Sequence, residues 1–176
     1  MKTSGIARKI DRLGRIVIPK EIRSALRISS GDYVDMHAEG AAIIIQKTEV
    51  LGRYSDIAES YARTISLKTG AACFICSRDS VIAGSGAAIA VGQPIGDQLR
   101  LRLLKNKFIY TQSAPFTDMD GSEKQLSMQC IAPLNCDGEI FGAIVLYSVT
   151  EHALNDEQLI FIKGATELLC GQLQLQ

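Results

Sequence analysis

The chain has 176 residues, 47% hydrophobic and 22% charged, enough for one ordinary domain or two small ones with packed cores. No apolar run approaches the roughly 20 residues of a membrane-spanning helix. The opening Met1-Lys2-Thr3-Ser4-Gly5 lacks the apolar stretch of a secretory signal, so a cytoplasmic protein with no membrane partner is expected.

The net charge of zero divides unevenly. Residues 1–27 hold eight basic and two acidic groups, a net +6, and the remainder holds eleven and seventeen, a net −6. A basic head on an acidic body suits contact with a polyanion, and equally suits a solvated basic face.

In chain order, Ile6 to Ile10 is expected to be a strand ending at the turn Asp11-Arg12-Leu13-Gly14, and Arg15 to Ile18 a second, β-branched strand. Pro19 suits the first position of a helix through Leu26, in which Ile22, Ala25 and Leu26 form a buried stripe. Lys20, Arg23 and Arg27 then fall at i, i+3 and i+7 and align three cations. After the turn at Ser29-Ser30-Gly31-Asp32, Tyr33 to Ala38 and Ala41 to Lys47 form a hairpin across Glu39-Gly40. Such a ββαββ head is too small to be stable alone, and it has neither cysteine nor metal ligands to staple it. A second copy of the chain is the simplest completion.

Leu51 to Lys68 reads as a connecting helix. Its residues Leu51, Tyr54, Ala58, Tyr61 and Ile65 suit either a short coiled-coil seam or one face of a domain helix. Strands follow at Ala71 to Ser77 and Ser80 to Ala83, a loop at Gly84-Ser85-Gly86, a helix from Ile95 to Leu104 opened by Pro94, and a strand at Lys107 to Thr111. Gln125 to Leu134 and Glu139 to Tyr147 pair across Asn135-Cys136-Asp137-Gly138. A final helix begins at Asn155 or Asp156. Hairpins without regular βαβ alternation argue for an antiparallel sheet with packed helices. The last helix has two apolar rows: Phe161, Ala165, Leu168 and Leu175, and Leu159, Ile162, Thr166, Leu169 and Leu173. One row suffices for its own sheet, so the other is expected at a subunit interface.

The run Gly5-Ile6-Ala7-Arg8-Lys9-Ile10-Asp11-Arg12-Leu13-Gly14-Arg15-Ile16-Val17-Ile18-Pro19-Lys20-Glu21-Ile22-Arg23 closely resembles the start of AbrB-family transition-state regulators. More weakly, Ala132-Pro133-Leu134, the Asp137-Gly138 turn and Ile140-Phe141-Gly142-Ala143-Ile144-Val145-Leu146 resemble the core hairpin of a GAF domain. The layout as a whole resembles sporulation regulators.

The resemblance implies an α+β protein. An AbrB-type swapped-hairpin β-barrel, interleaved from two chains, spans residues 1–50, and a GAF-like antiparallel sheet with packed helices spans 51–176, with 51–69 as the connecting helix. It further implies a nucleoid-associated transcriptional regulator of sporulation genes that binds double-stranded DNA. The head would form a homodimer, and the second domain would build a homotetramer or sense a small-molecule effector. Arg8, Arg15 and Arg23 match the family's DNA-contacting arginines, and Lys9, Lys20 and Arg27 are further candidates. Ser24 stands where relatives often have a second arginine. The alternative for the three arginines Arg8, Arg15 and Arg23 is structural pairing with Asp11, Glu21 or Asp35; for Lys9, Lys20 and Arg27 it is that of ordinary exposed cations on a small domain.

Candidate ligand-lining residues are Phe74, Ile82, Phe108, Tyr110 and Met128, each also readable as core. Cys73-Phe74-Ile75-Cys76 would point its two thiols to opposite faces of a strand, so no metal site is expected. The five cysteines suit reduced thiols rather than a disulfide framework. Cys130 and Cys136 raise the thiol-dependent methionine sulfoxide reductases found among GAF-like domains, with Cys136 expected in a turn. His37 and His152 are isolated, no phosphate loop is present, and no catalytic residue or cofactor is expected. An antitoxin is the other alternative, because swapped-hairpin heads occur there too. The long patterned second segment argues against it.

Overall fold

A computed structural model of the protein describes residues 6–30, 32–47, 51–87, 91–117 and 123–174, with backbone alone for 113–117 and 123–125. The chain divides into two units, Met1–Glu49 and Val50–Gln176. Leu175 and Gly31 fall outside the described residues.

In the first unit, helix α1 (Lys20–Ala25) precedes an antiparallel hairpin of β1 (Val34–Glu39) and β2 (Ala42–Lys47). Pro19 is the residue before α1 rather than its first turn. The two strands expected before it do not form ladders within one chain. Residues 6–19 carry no strand assignment, and their backbone bonds are those of a turn, Asp11 N–H to Arg15 O and Gly14 N–H to Asp11 O, both at 3.1 Å. A β-branched segment becomes a strand only beside a partner strand, and periodicity alone does not supply one.

Helix α1 ends in a Schellman arrangement. The Ile28 N–H donates to Arg23 O at 2.7 Å and the Arg27 N–H to Ser24 O at 3.2 Å. Arg27 occupies the left-handed position at φ 53°, which usually falls to glycine. It therefore leaves the helical row that the spacing of Lys20, Arg23 and Arg27 suggested. Beyond it, Lys47 Nζ reaches both Arg27 O at 2.8 Å and Asp32 Oδ2 at 3.0 Å, tying the end of α1 to β2.

The second unit is a five-stranded antiparallel sheet in the order β4-β3-β7-β6-β5. Its strands are β3 (Ala72–Ser77), β4 (Val81–Ser85), β5 (Ile109–Thr117), β6 (Glu123–Cys136) and β7 (Glu139–Ser148). Gly84 and Ser85 thus belong to a strand, not a loop. Helices α2 (Ser55–Thr69) and α4 (Asp156–Gln174) pack on one face through Ala58, Ala62, Ile65, Ile162 and Leu169 against Cys73, Ile75, Cys130, Ile144 and Leu146. Helix α3 (Asp97–Leu104) covers the other face, where Leu99 and Leu103 meet Phe74, Cys76, Ile131 and Val145. The two-residue period of a strand explains the division: alternate residues of β3, β6 and β7 serve opposite layers.

The segment before α2 is a short 3-10 turn at Leu51–Tyr54. Leu51, Ala58 and Ile65 are buried in the unit's own core, with Tyr54 and Tyr61 packed beside them. The seam is a domain-helix face. Helix α3 starts later than expected because Pro94 bridges to Ser80 and the Ile95 N–H donates to Asp79 O at 2.9 Å; Gly96 is the cap. The β6–β7 turn has only two residues, Asp137 at φ 53° and Gly138 at φ 88°, as a type I′ turn requires. Cys136 therefore lies in a strand, paired with Glu139.

Helix α4 opens with a reciprocal cap. The Gln158 N–H donates to Asn155 Oδ1 at 2.9 Å and the Asn155 N–H to Gln158 Oε1 at 3.0 Å.

Candidate nucleic-acid interface

All six cationic candidates of the first unit, Arg8, Lys9, Arg15, Lys20, Arg23 and Arg27, are solvent-exposed. They come from three places: the segment before the first turn, the exit of that turn, and α1 with its C-terminal cap. Lys20 and Arg23 lie three residues apart in α1 and so share a side of it.

Arg15 is the one whose geometry is fixed by a side chain. Its Nε donates to Asp11 Oδ2 at 2.8 Å, while Asp11 Oδ1 accepts the backbone N–H groups of Leu13 and Arg15 at 2.9 Å each. These bonds from Arg15, with that from Leu13, hold the Asp11 carboxyl below its usual pKa. Asp11 stabilises the turn and orients Arg15 at once. The sequence offered Asp11 only as a rival reading for the arginine; the turn spacing was the signal that it could serve as the anchor.

Among its described residues the first unit has no core of its own. Pro19 is its single buried residue among those described. Ile6, Ile10, Leu13, Ile16, Val17, Leu26, Tyr33, Met36 and Ile43 are each at least 39% exposed.

In the second unit the five candidate lining residues do not converge on one cavity. Phe74 lies on the α3 face, whereas Met128 and Ile82 belong to the layer under α2 and α4. Phe108 packs at that layer's edge and carries Lys163 Nζ 4.8 Å above its ring. The Tyr110 hydroxyl accepts the Leu154 N–H at 2.8 Å and ties β5 to the approach of α4. His152 bonds through Nε2 to Thr69 O at 2.8 Å, fastening the segment before α4 to the end of α2.

The cysteines are free and buried. Cys73 and Cys76 point to opposite faces of β3, in separate core clusters. Burial pushes the Cys73 thiol up to about 12, and that of Cys130 to about 12 despite the opposing charge of Lys163. Burial also raises the thiols of Cys136 and Cys170. Thiols so raised are poor nucleophiles near neutral pH. Among the described residues no group of three or more His, Cys, Asp or Glu could hold a metal ion, and no helix is long and apolar enough to cross a membrane.

A basic, coreless head carrying the Gly5–Arg23 pattern, joined to an antiparallel sheet with helices on both faces, is the layout of a two-unit transcription regulator. Residues 54–174 match the family model described as stage V sporulation protein T C-terminal, transcription factor. Residues 7–50 match that of the antidote-toxin recognition protein MazE, a bacterial antitoxin. The chain is 31% identical to stage V sporulation protein T of Bacillus subtilis (strain 168), over 99% of both chains. It belongs to the stage V sporulation protein T family of transcription factors.

The head alone is similar to the transition state regulatory protein AbrB of the same organism, 40% identical over 32% of this chain and 65% of that one. Solved structures give the second unit a GAF fold. The second GAF domain of DevS from Mycobacterium smegmatis matches with a TM-score of 0.53 at 15% identity, covering 69% of this chain and 93% of that one. The GAF domain of the nutrient sensor CodY from Clostridium difficile gives 0.51 at 13%, covering 72% and 98%. A type II free methionine-R-sulfoxide reductase from Thermoplasma acidophilum gives 0.51 at 14%, covering 70% and 94%. At such identities these likenesses are of fold alone.

Proposed function

We propose that two copies of the chain interleave their heads into one barrel that binds double-stranded DNA in the cytoplasm. In this reading residues 1–50 are the DNA-binding domain and 51–176 the assembly and effector domain. The observation that carries it is the head without a core. Nine large apolar side chains stand exposed in so small a basic unit, and a second copy would bury them while doubling the cationic surface.

Arg15, preset by Asp11, and Arg8 and Arg23 are the principal contacts. Lys9, Lys20 and Arg27 add phosphate neutralisation, partly making up for Ser24. Cations drawn from several short elements suit backbone contact and shape readout more than a long run of base contacts.

A further contact between copies is proposed on the second unit. Of the two apolar rows of α4, Ile162, Thr166, Leu169 and Leu173 are buried, while Phe161 and Leu168 remain 37% and 68% exposed. Those two, with Tyr61 and Thr64 of α2, border an apolar groove of about 360 Å³. Pairing of such grooves would join head dimers into tetramers.

Sedimentation of the full chain and a gel-shift titration against salt test the proposal. Dimers or tetramers whose DNA affinity falls steeply with salt are expected; a monomer that binds DNA overturns it. The match of the head to an antitoxin model favours one second reading, a toxin partner, which stoichiometric co-purification of a small protein from the native host would support.

A further inference from the structure

The sheet face covered by α3 contains a polar group that the packing leaves incomplete. Gln129, in the middle of β6, is 0% exposed, and its Oε1 accepts from Arg102 Nη1 at 2.6 Å. Its Nε2 has no hydrogen-bond partner among the described residues, and neither has the buried hydroxyl of Thr111. Thr111 lies directly opposite Gln129 on β5. Residues so opposed project from the same face with Cβ atoms about 4.5–5.5 Å apart. On its other side Gln129 pairs with Tyr147 of β7, whose ring meets Phe74 edge-on at 6.2 Å. A row of polar groups thus crosses three strands on the face that α3 covers.

Two arginines of α3 differ in a telling way. Arg100 is ion-paired through Nη1 with Asp97 at 3.0 Å, while its Nη2 faces Asp79 at 3.8 Å without a hydrogen bond. Arg102 has no carboxylate partner among the described residues, and Gln129 is the group it donates to. Buried amides and hydroxyls are ordinarily satisfied, and an exception calls for a ligand or a water.

We propose that Arg102, Gln129 and Thr111 form a binding site for a small monocarboxylate between α3 and the sheet. The remaining guanidinium donors, the Gln129 amide and the Thr111 hydroxyl all supply hydrogen to an acceptor, and a carboxylate offers acceptors only. With one cation present, a single negative charge balances the site. A phosphate dianion would leave a charge uncompensated beside Phe74, Ile131 and Val145.

Neither orphaned atom reaches solvent, so entry requires α3 to lift. That helix has eight residues, anchors through Leu99 and Leu103, and leaves Leu101 and Leu104 exposed. Its displacement is how occupancy would be felt in the rest of the unit. The proposal rests on the reading of residues 51–176 as an effector domain.

The test is thermal unfolding of the full chain with propionate or pyruvate, against inorganic phosphate and propylammonium chloride at equal ionic strength. Both carboxylates should raise Tm saturably, by roughly 5–10 °C at a hundredfold excess over Kd. Gln129→Leu and Arg102→Gln should each abolish the rise, and Gln129→Leu should leave the ligand-free Tm unchanged or higher because the unpartnered amide is gone. The proposal is overturned if neither carboxylate moves Tm, which would leave a buried water as the partner, if phosphate acts as strongly, or if Gln129→Leu still responds. DNA affinity measured with and without propionate separates the two readings. Unchanged affinity despite a Tm shift would end the effector reading and leave the site standing.

Discussion

Asp11 grips Arg15 at both ends of the residue: Oδ1 accepts its backbone N–H at 2.9 Å and Oδ2 accepts its Nε at 2.8 Å. The guanidinium is thereby held at the turn, with the donors on its two Nη atoms left for a ligand. Arg15→Ala is expected to lower DNA affinity and to flatten the salt dependence, by about 2 in the slope of log K against log salt for a dimer that loses two phosphate contacts. Asp11→Asn keeps the cation but loosens its setting, so affinity should fall less while the slope stays near the parent's. Gel-shift titrations at several salt concentrations measure both. An Arg15→Ala protein that binds with the parental slope would remove Arg15 from the interface.

Arg27 presents the reverse balance between stability and binding. A non-glycine residue at φ 53° in the C′ position of a helix is strained by about 1 kcal/mol. Arg27→Gly should therefore stabilise the protein by up to about that amount in denaturant unfolding, while weakening DNA binding modestly. Loss of stability in this variant would refute the strain argument.

Gly142 and Gly171 should respond oppositely to the same substitution. A Cβ on Gly142 would overlap the Cys76 carbonyl oxygen and lie 2.9 Å from Leu51 Cδ1, whereas one on Gly171 of α4 meets nothing within 4 Å. Gly142→Ala should cost about 2–4 kcal/mol or prevent folding. Gly171→Ala should stabilise by roughly 0.5–1 kcal/mol through helix propensity. Urea melts of the two variants make the comparison.

The buried thiols set an alkaline limit. In the folded chain Cys73 and Cys130 stay protonated up to about 12, against an ordinary value of 9.0. Between those pH values the unfolded chain has released protons that the folded chain keeps. Stability is therefore full below pH 9 and falls as pH rises above it, by at most about 1.4 kcal/mol per pH unit for each thiol. Iodoacetamide at pH 8 should leave both residues unlabelled in the native protein and label them in urea. Rapid native labelling would contradict their burial.

Phe161→Glu and Leu168→Glu each put a charge on the open row of α4. Sedimentation should show tetramers replaced by dimers, with Tm within a few degrees of the parent because neither side chain belongs to the buried row. Tetramers that persist in the double variant would place the contact elsewhere.

Much of this chain was legible before any tertiary structure. The Asp137-Gly138 step fixed the β6–β7 hairpin, because few residue pairs other than such a step accept two positive φ values in succession. Helical spacing found α2 and α4, and the unequal charge marked the head. The opposed thiols of Cys73 and Cys76 followed from strand period alone.

What periodicity could not decide was partnership, since it describes one segment and not its neighbours. It marked Ile6 to Ile10 as a strand, yet a strand exists only where another backbone completes its ladder. It marked two apolar rows on α4, but only the packed sheet decided that Ile162 and Leu169 go inward and Phe161 and Leu168 remain outside. The resemblance to a GAF domain made Phe74 and Met128 joint candidates for a ligand cavity, and the sheet put them on opposite faces. Gln129 gave no signal at all: a glutamine in a strand is ordinary until the strands either side enclose it and leave its Nε2 without a partner. Sequence determined which segments are helices and hairpins through local dihedral preference and apolar spacing. The tertiary structure decided which groups are buried together, and so which cations stay free and which polar atoms are left unsatisfied.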